Sequence, residues 1–168
     1  TYFIIGSLTS LNTGISHDEF HEQENWKYNV SLSKNLIGHY LSDEKYDTKY
    51  DNYKDKYYGI GFQIISQPIQ YLLKNFIIKF KDISPYGATL VAKHFVTFSI
   101  FFISSFFIFM ILRKIVENSF FCYFTIIIYL TYPYLLGQAL FNPKDIPFLS
   151  VWVICSYVSL NIFEKILD

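Results

Sequence analysis

The stretch that most limits how this chain can fold is Phe141-Asn142-Pro143-Lys144-Asp145-Ile146-Pro147-Phe148, a polar turn caught between two long apolar runs. Upstream, residues 120–140 are broken only by Thr125, Thr131, Pro133, Gly137 and Gln138; downstream, nothing charged follows Phe148 until Glu164. Runs of about 17–25 apolar residues are long enough to cross a bilayer. Between two such runs the backbone leaves helical geometry only at a watery surface or inside protein. Two prolines remove backbone donors and bias Asn142 and Ile146 away from the helical region. The pattern predicts a tight turn at a membrane face that presents Lys144 and Asp145.

Composition agrees with a membrane class. The chain is 52% hydrophobic and 21% aromatic, and from Ala88 onward it carries nine charged side chains. The formal net charge is zero, which argues against nucleic acid as a partner, because a clustered basic surface is then expected. Residue 1 is Thr and the one Met is Met110, so the chain is expected to be an internal or processed piece of a longer protein. Cys122 and Cys155 lie within apolar runs and offer neither a disulfide framework nor zinc spacing.

In chain order, residues 1–9 read as the end of a truncated membrane helix, with a frayed apolar terminus as the plainer alternative. Residues 10–87 read as a first outer loop. Within it, residues 14–26 gather Asp18, Glu19, Glu22, Glu24, His17, His21 and Trp26; the plain account is a solvated helix start with Ser16 as N-cap and acids favoured by the helix dipole. A tract rich in Tyr, Lys and Asp follows, in which Tyr46, Tyr50, Tyr53 and Tyr57 fall at helical spacing and suit either an interfacial stripe or a solvated loop. Residues 60–80 carry Phe62, Ile65, Ile69, Leu72, Phe76 and Phe80 on one face and Gln63, Gln67, Gln70 and Lys74 on the other, the pattern of an amphipathic helix lying on the membrane. Pro68 is expected to kink it or start it afresh.

Residues 88–168 are expected to hold three membrane helices, at about 88–112, 120–140 and 147–163. Lys93 and His94 sit near the start of the first, where a lysine can snorkel to the headgroups. The connection at 113–119 carries Arg113 and Lys114 and is assigned to the cytoplasmic side. Alternation then puts the acidic cluster and the Lys144-Asp145 turn on the same outer face.

Taken together, the Asp18-Glu19 pair at the start of the outer loop, the aromatic-glycine entry Tyr57-Tyr-Gly-Ile-Gly-Phe62, the basic-histidine pair Lys93-His94 and the Asn-Pro-Lys-Asp turn resemble the amino-terminal part of a GT-C glycosyltransferase. The likeness is to the protein O-mannosyltransferases and aminoarabinose transferases, and it spans nearly the whole chain. It implies an all-helical polytopic fold and transfer of a sugar from a polyprenyl-phosphate donor to an acceptor hydroxyl of unknown identity. It also implies Asp18 as base with Glu19 beside it. The bias toward Ile, Lys, Asn, Phe and Tyr, with Arg113 the one arginine, suggests an AT-rich genome and sets the expectation of a multi-pass protein of the bacterial cytoplasmic membrane.

The chemistry such a transfer needs is a base near the acceptor and positive charge on the departing phosphate. Lys93, His94 and Lys144 are the candidates for the phosphate, and Asp18 and Asp145 for sharing a magnesium or manganese ion. For Lys144-Asp145 the structural alternative is an ion pair closing the turn. Two other classes stay open: a membrane metalloprotease, because His17 and His21 stand at i and i+4 as in the His-Glu-x-x-His motif, with Asp18 where that motif has Glu; and a non-enzymatic membrane module, for which the outer charges are dispensable.

Overall fold

In the computed structural model, which describes residues 1–42, 45, 47–48, 52–55 and 59–167, the regular structure is entirely helical among the described residues. Among the described residues seven α-helices occur in order: α1 (Tyr2–Ser10), α2 (His17–Ser42), α3 (Gly61–Phe80), α4 (Pro85–Ile115), α5 (Ser119–Thr131), α6 (Pro133–Ala139) and α7 (Asp145–Leu167). Of the tyrosine stripe, Tyr46, Tyr50 and Tyr57 lie outside the described residues, as does Tyr58 of the aromatic-glycine entry; Tyr53 stacks on Tyr28 of α2 with ring centroids 3.9 Å apart.

α4 is the axis on which α1, α3, α5 and α7 pack. Ser84 caps it by accepting from the Gly87 N–H at 3.1 Å, with Pro85 at the first helical position, where a missing N–H removes no helix bond. With 31 residues it is about 46 Å long at 1.5 Å per residue, more than the ~30 Å hydrocarbon core of a bilayer. α4 and α7 are each long and apolar enough to cross a membrane. The Lys114 ammonium, near the end of α4, meets the Glu164 carboxylate, near the end of α7. The two helices therefore run in the same direction, and Phe107 of α4 meets Tyr157 of α7 two turns back from that contact.

The segment expected as one span over 120–140 is broken. α5 and α6 are bent 58° from each other at Tyr132, whose ψ of 118° leaves the helix just before Pro133. Proline supplies no N–H to continue the ladder, and its ring disfavours a helical residue before it. The polar turn is also shorter than expected. α7 starts at Asp145, so Ile146 is helical although it precedes Pro147. Pro147 falls in the first turn, where N–H groups have no intrahelical acceptor in any case.

α1 presses so closely on α4 that a Cβ on Gly6 would fall 1.9 Å from the tip of the buried Phe98 ring. Tyr2 and Phe3 pack against Phe98 and Phe102 around that contact. α3 continues through Pro68, and its faces are used in the opposite sense to a helix of a water-soluble core. Gln63, Ser66 and Gln70 are buried, while Ile65, Ile69, Leu72, Phe76 and Phe80 are exposed. The buried amides satisfy one another: Gln63 Nε2 donates to Gln67 Oε1 at 2.6 Å and Gln70 Oε1 at 3.2 Å, and Gln70 Nε2 donates to Ser66 Oγ at 2.7 Å. Burying such groups is tolerable only when they are paired in this way.

Candidate functional site

The site is built on three elements: the first turns of α2, the entry to α3, and the turn between α6 and α7. Asn142 organises the last. Its Oδ1 accepts from the backbone N–H groups of Lys144 and Asp145, each at 3.0 Å, while its Nδ2 donates to Gln138 Oε1 at 2.7 Å and Asp145 Oδ2 at 3.0 Å. An Asn does this because its side chain mimics a backbone turn. Asp145 sits in the first turn of α7, where negative charge is favoured. Lys144 and Asp145 themselves are exposed.

α2 is locked at its start by a buried pair. Glu19 Oε1 accepts from the Ser16 N–H at 2.6 Å, the half of a capping box that reaches back over the helix start. Its other oxygen lies 2.7 Å from His94 Nε2, and both side chains are wholly buried. His94 Nδ1 is 3.1 Å from the Ser10 carbonyl, which can only accept, so that nitrogen carries a hydrogen. One imidazole thus ties α4, α2 and the end of α1 together.

Two neighbouring cavities open beside this lock. The larger, about 620 Å³, has an apolar wall of Phe62, Ile65, Ile100, Pro147, Phe148 and Val151 and a polar end of Glu22, Gln63, Lys144 and Asp145. The smaller, about 220 Å³, is lined by Asp18, His21, Glu22, Asn25, Asp55 and Lys144. Asp18, His21, Glu22 and Asn25 form one stripe along α2, since residues three and four apart share a helix face. Glu22 and Lys144 line both cavities. Burial pushes the Glu22 carboxyl above the usual carboxylate range; Lys93 and Lys144 pull it back down, and Asp18 pushes it further up.

The six residues singled out in the sequence separate into two groups. Asp18, Lys144 and Asp145 line the cavities. Glu19 and His94 line neither; they are buried against each other, which differs from the expectation of a second base and a phosphate ligand. Lys93 does not snorkel. It is wholly buried, and its Nζ has no hydrogen-bond partner among the described residues. Lys93 stands past the first two turns of α4, between Ala92, which packs on Ile77 of α3, and His94, which meets Glu19 of α2.

Glu22 was not singled out by sequence reasoning, although its i+4 spacing from Asp18 put it on the same face of a helix. Among the described residues no group of three or more His, Cys, Asp or Glu side chains could hold a metal ion, and His17 and His21 are exposed with rings 5.1 Å apart edge to face. Asp18 and Asp145 line different cavities with the Lys144 ammonium common to both. That is a poor donor set for one shared magnesium or manganese ion, which prefers several oxygens and no cation among them.

Comparison with protein-family models, with characterised proteins and with solved structures finds no significant match to this chain.

Proposed function

We propose that this chain carries the outer-face site of a membrane transferase that moves a glycosyl group from a polyprenyl-phosphate sugar to an acceptor hydroxyl, within a multi-pass protein of the bacterial cytoplasmic membrane. The observation that carries the reading is the mixed character of the larger cavity. Its wall of Phe62, Ile65, Ile100, Phe148 and Val151 suits a lipid tail, and its end at Lys144 suits an anionic head. Pockets of roughly 300–1,000 Å³, mostly apolar with a few polar groups, are the usual form of a small-molecule site. The location agrees with an amphiphile as ligand: the polar end lies at the amino-terminal end of α7, one of the two helices long enough to span a membrane.

In the reaction, the acceptor oxygen attacks the anomeric carbon as the bond from that carbon to the phosphate oxygen breaks. The electron pair leaves with the polyprenyl phosphate, whose growing negative charge Lys144 stabilises. A preorganised cation aimed at developing charge usually lowers the barrier of such a reaction more than any other single effect. A carboxylate of the α2 stripe takes the acceptor's proton, with Asp18 as the candidate the resemblance supplies.

Binding of polyprenyl phosphate to the protein in lipid nanodiscs tests this reading, with the uncharged polyprenol as control. The phosphate should bind and the alcohol should not. Lys144→Ala should weaken the phosphate at least ~10-fold, the loss expected when a charge-assisted contact is removed. Equal binding of phosphate and alcohol would remove the reading.

A further inference from the structure

We infer that Glu22, rather than Asp18, is the carboxylate that takes the proton from the acceptor hydroxyl, and that the smaller cavity is where the acceptor sits. This rests on the transferase reading above and deepens it.

A base in this reaction has to meet two conditions at once. It must touch the acceptor oxygen, and it must stand close to the carbon whose phosphate is leaving on Lys144. Geometry comes before acidity in choosing a general base. Among the described carboxylates, Asp145 lines the larger cavity alone, Asp18 and Asp55 the smaller alone, and Glu19 neither. Glu22 lines both, together with Lys144. The phosphate cation and the proton acceptor are therefore the two side chains common to donor and acceptor spaces.

The surroundings of Glu22 suit the role. Partial burial favours its neutral form, while the charges of Lys93 and Lys144 favour the ionised one. Among the described residues the buried Lys93 Nζ has no hydrogen-bond partner, so its charge acts on Glu22 through space without occupying a carboxylate oxygen. The result is a carboxylate more basic than one in water, which lies on the favourable side for proton abstraction near neutral pH. His21 and Asn25 of the same stripe line the smaller cavity and offer hydrogen bonds to the acceptor's other hydroxyls. The balance is complete: the acceptor O–H proton goes to a Glu22 oxygen, the acceptor oxygen bonds to the anomeric carbon, and polyprenyl phosphate departs with the electron pair.

The test uses the protein in nanodiscs with a pool of polyprenyl phosphates carrying different hexoses and pentoses, and water as the acceptor. Released polyprenyl phosphate is measured, and binding of polyprenyl phosphate is measured in parallel. Glu22→Gln should cut release at least ~10²-fold, the usual worth of a general base, while binding changes less than about 3-fold. Glu22→Asp, which keeps the carboxylate but draws it back, should fall between. Asp18→Asn should lose less than Glu22→Gln. Release by Glu22→Gln within about 3-fold of the wild type would overturn the assignment while leaving the transferase reading intact. A Glu22→Gln protein that fails to bind polyprenyl phosphate would also overturn it, since Glu22 would then be a binding residue. A wild type that binds no polyprenyl phosphate, or releases none from the pool, removes the transferase reading and this role with it.

Discussion

Glu19 Oε2 and His94 Nε2 lie 2.7 Å apart, seventy-five positions apart in sequence, with neither side chain exposed to solvent. This contact fixes the start of α2 against α4 and so sets where the first two turns of α2 put Asp18 and Glu22. Removing one member of such a pair leaves the other buried without its partner, which typically costs about 3–5 kcal/mol. Glu19→Ala and His94→Ala should each destabilise the protein by that order, and the double variant by much less than the sum. Unfolding in detergent, followed by tryptophan fluorescence, checks it. Additive effects would show that the two side chains are not coupled.

Gly6 and Phe98 make a second such contact, of shape rather than charge. Gly6→Ala would drive a methyl into a buried ring and should cost about 1–3 kcal/mol by overpacking. Phe98→Leu in the same chain should recover part of the loss. A Gly6→Ala protein as stable as the wild type would mean that α1 is not seated on α4.

The Glu22 carboxyl is raised first by burial and then by Asp18, against the opposing pull of Lys93 and Lys144. Its folded value thus lies above its unfolded value. The stability tied to its neutral form is full below the ordinary carboxylate range and is lost as pH rises through the folded value. Relative to Glu22→Gln, the wild type should therefore lose stability as pH climbs through that window. His21, Asp55 and Asp145 line the same cavities, so the difference between the two proteins is the measure. Site-specific infrared or NMR titration should also show Lys144→Ala moving Glu22 up and Asp18→Asn moving it down. The opposite shifts would contradict the arrangement.

How much of this could be read from sequence differs from element to element. The apolar runs at about 88–112 and 147–163 showed the helices that became α4 and α7, because membrane-scale apolarity is a property of composition over a window. The 58° break at Tyr132 was signalled by Pro133 but passed over within an apolar run. In α3 the period was legible and its orientation was not: a stripe of Gln63, Ser66 and Gln70 looks solvated, yet it is buried in an amide network. The acids of α2 divided in a way no local pattern could show. Glu19 differs from Asp18 and Glu22 because His94, in another helix, reaches it.

Labelling distinguishes the faces of α3. A spin label at Ile69 or Leu72 should be accessible to oxygen dissolved in lipid and shielded from aqueous quenchers, while one at Gln63 or Gln70 should be poorly accessible to both. Equal aqueous exposure of 69 and 63 would contradict an apolar face turned to lipid. On a Cys122→Ser, Cys155→Ser background, Glu24→Cys and Glu117→Cys should react with an impermeant thiol reagent from opposite sides of a sealed vesicle. Reaction from the same side would overturn the topology.

The most direct measurement of the central claim is photo-crosslinking with a polyprenyl phosphate that carries a diazirine in the first isoprene units. In nanodiscs, the adducts mapped by mass spectrometry should fall on Phe62, Ile65, Phe148 and Val151, and should vanish when unlabelled polyprenyl phosphate is added in excess. Adducts spread evenly over the outer faces of α3, α5 and α7, unaffected by that excess, would contradict a lipid-phosphate site at Lys144.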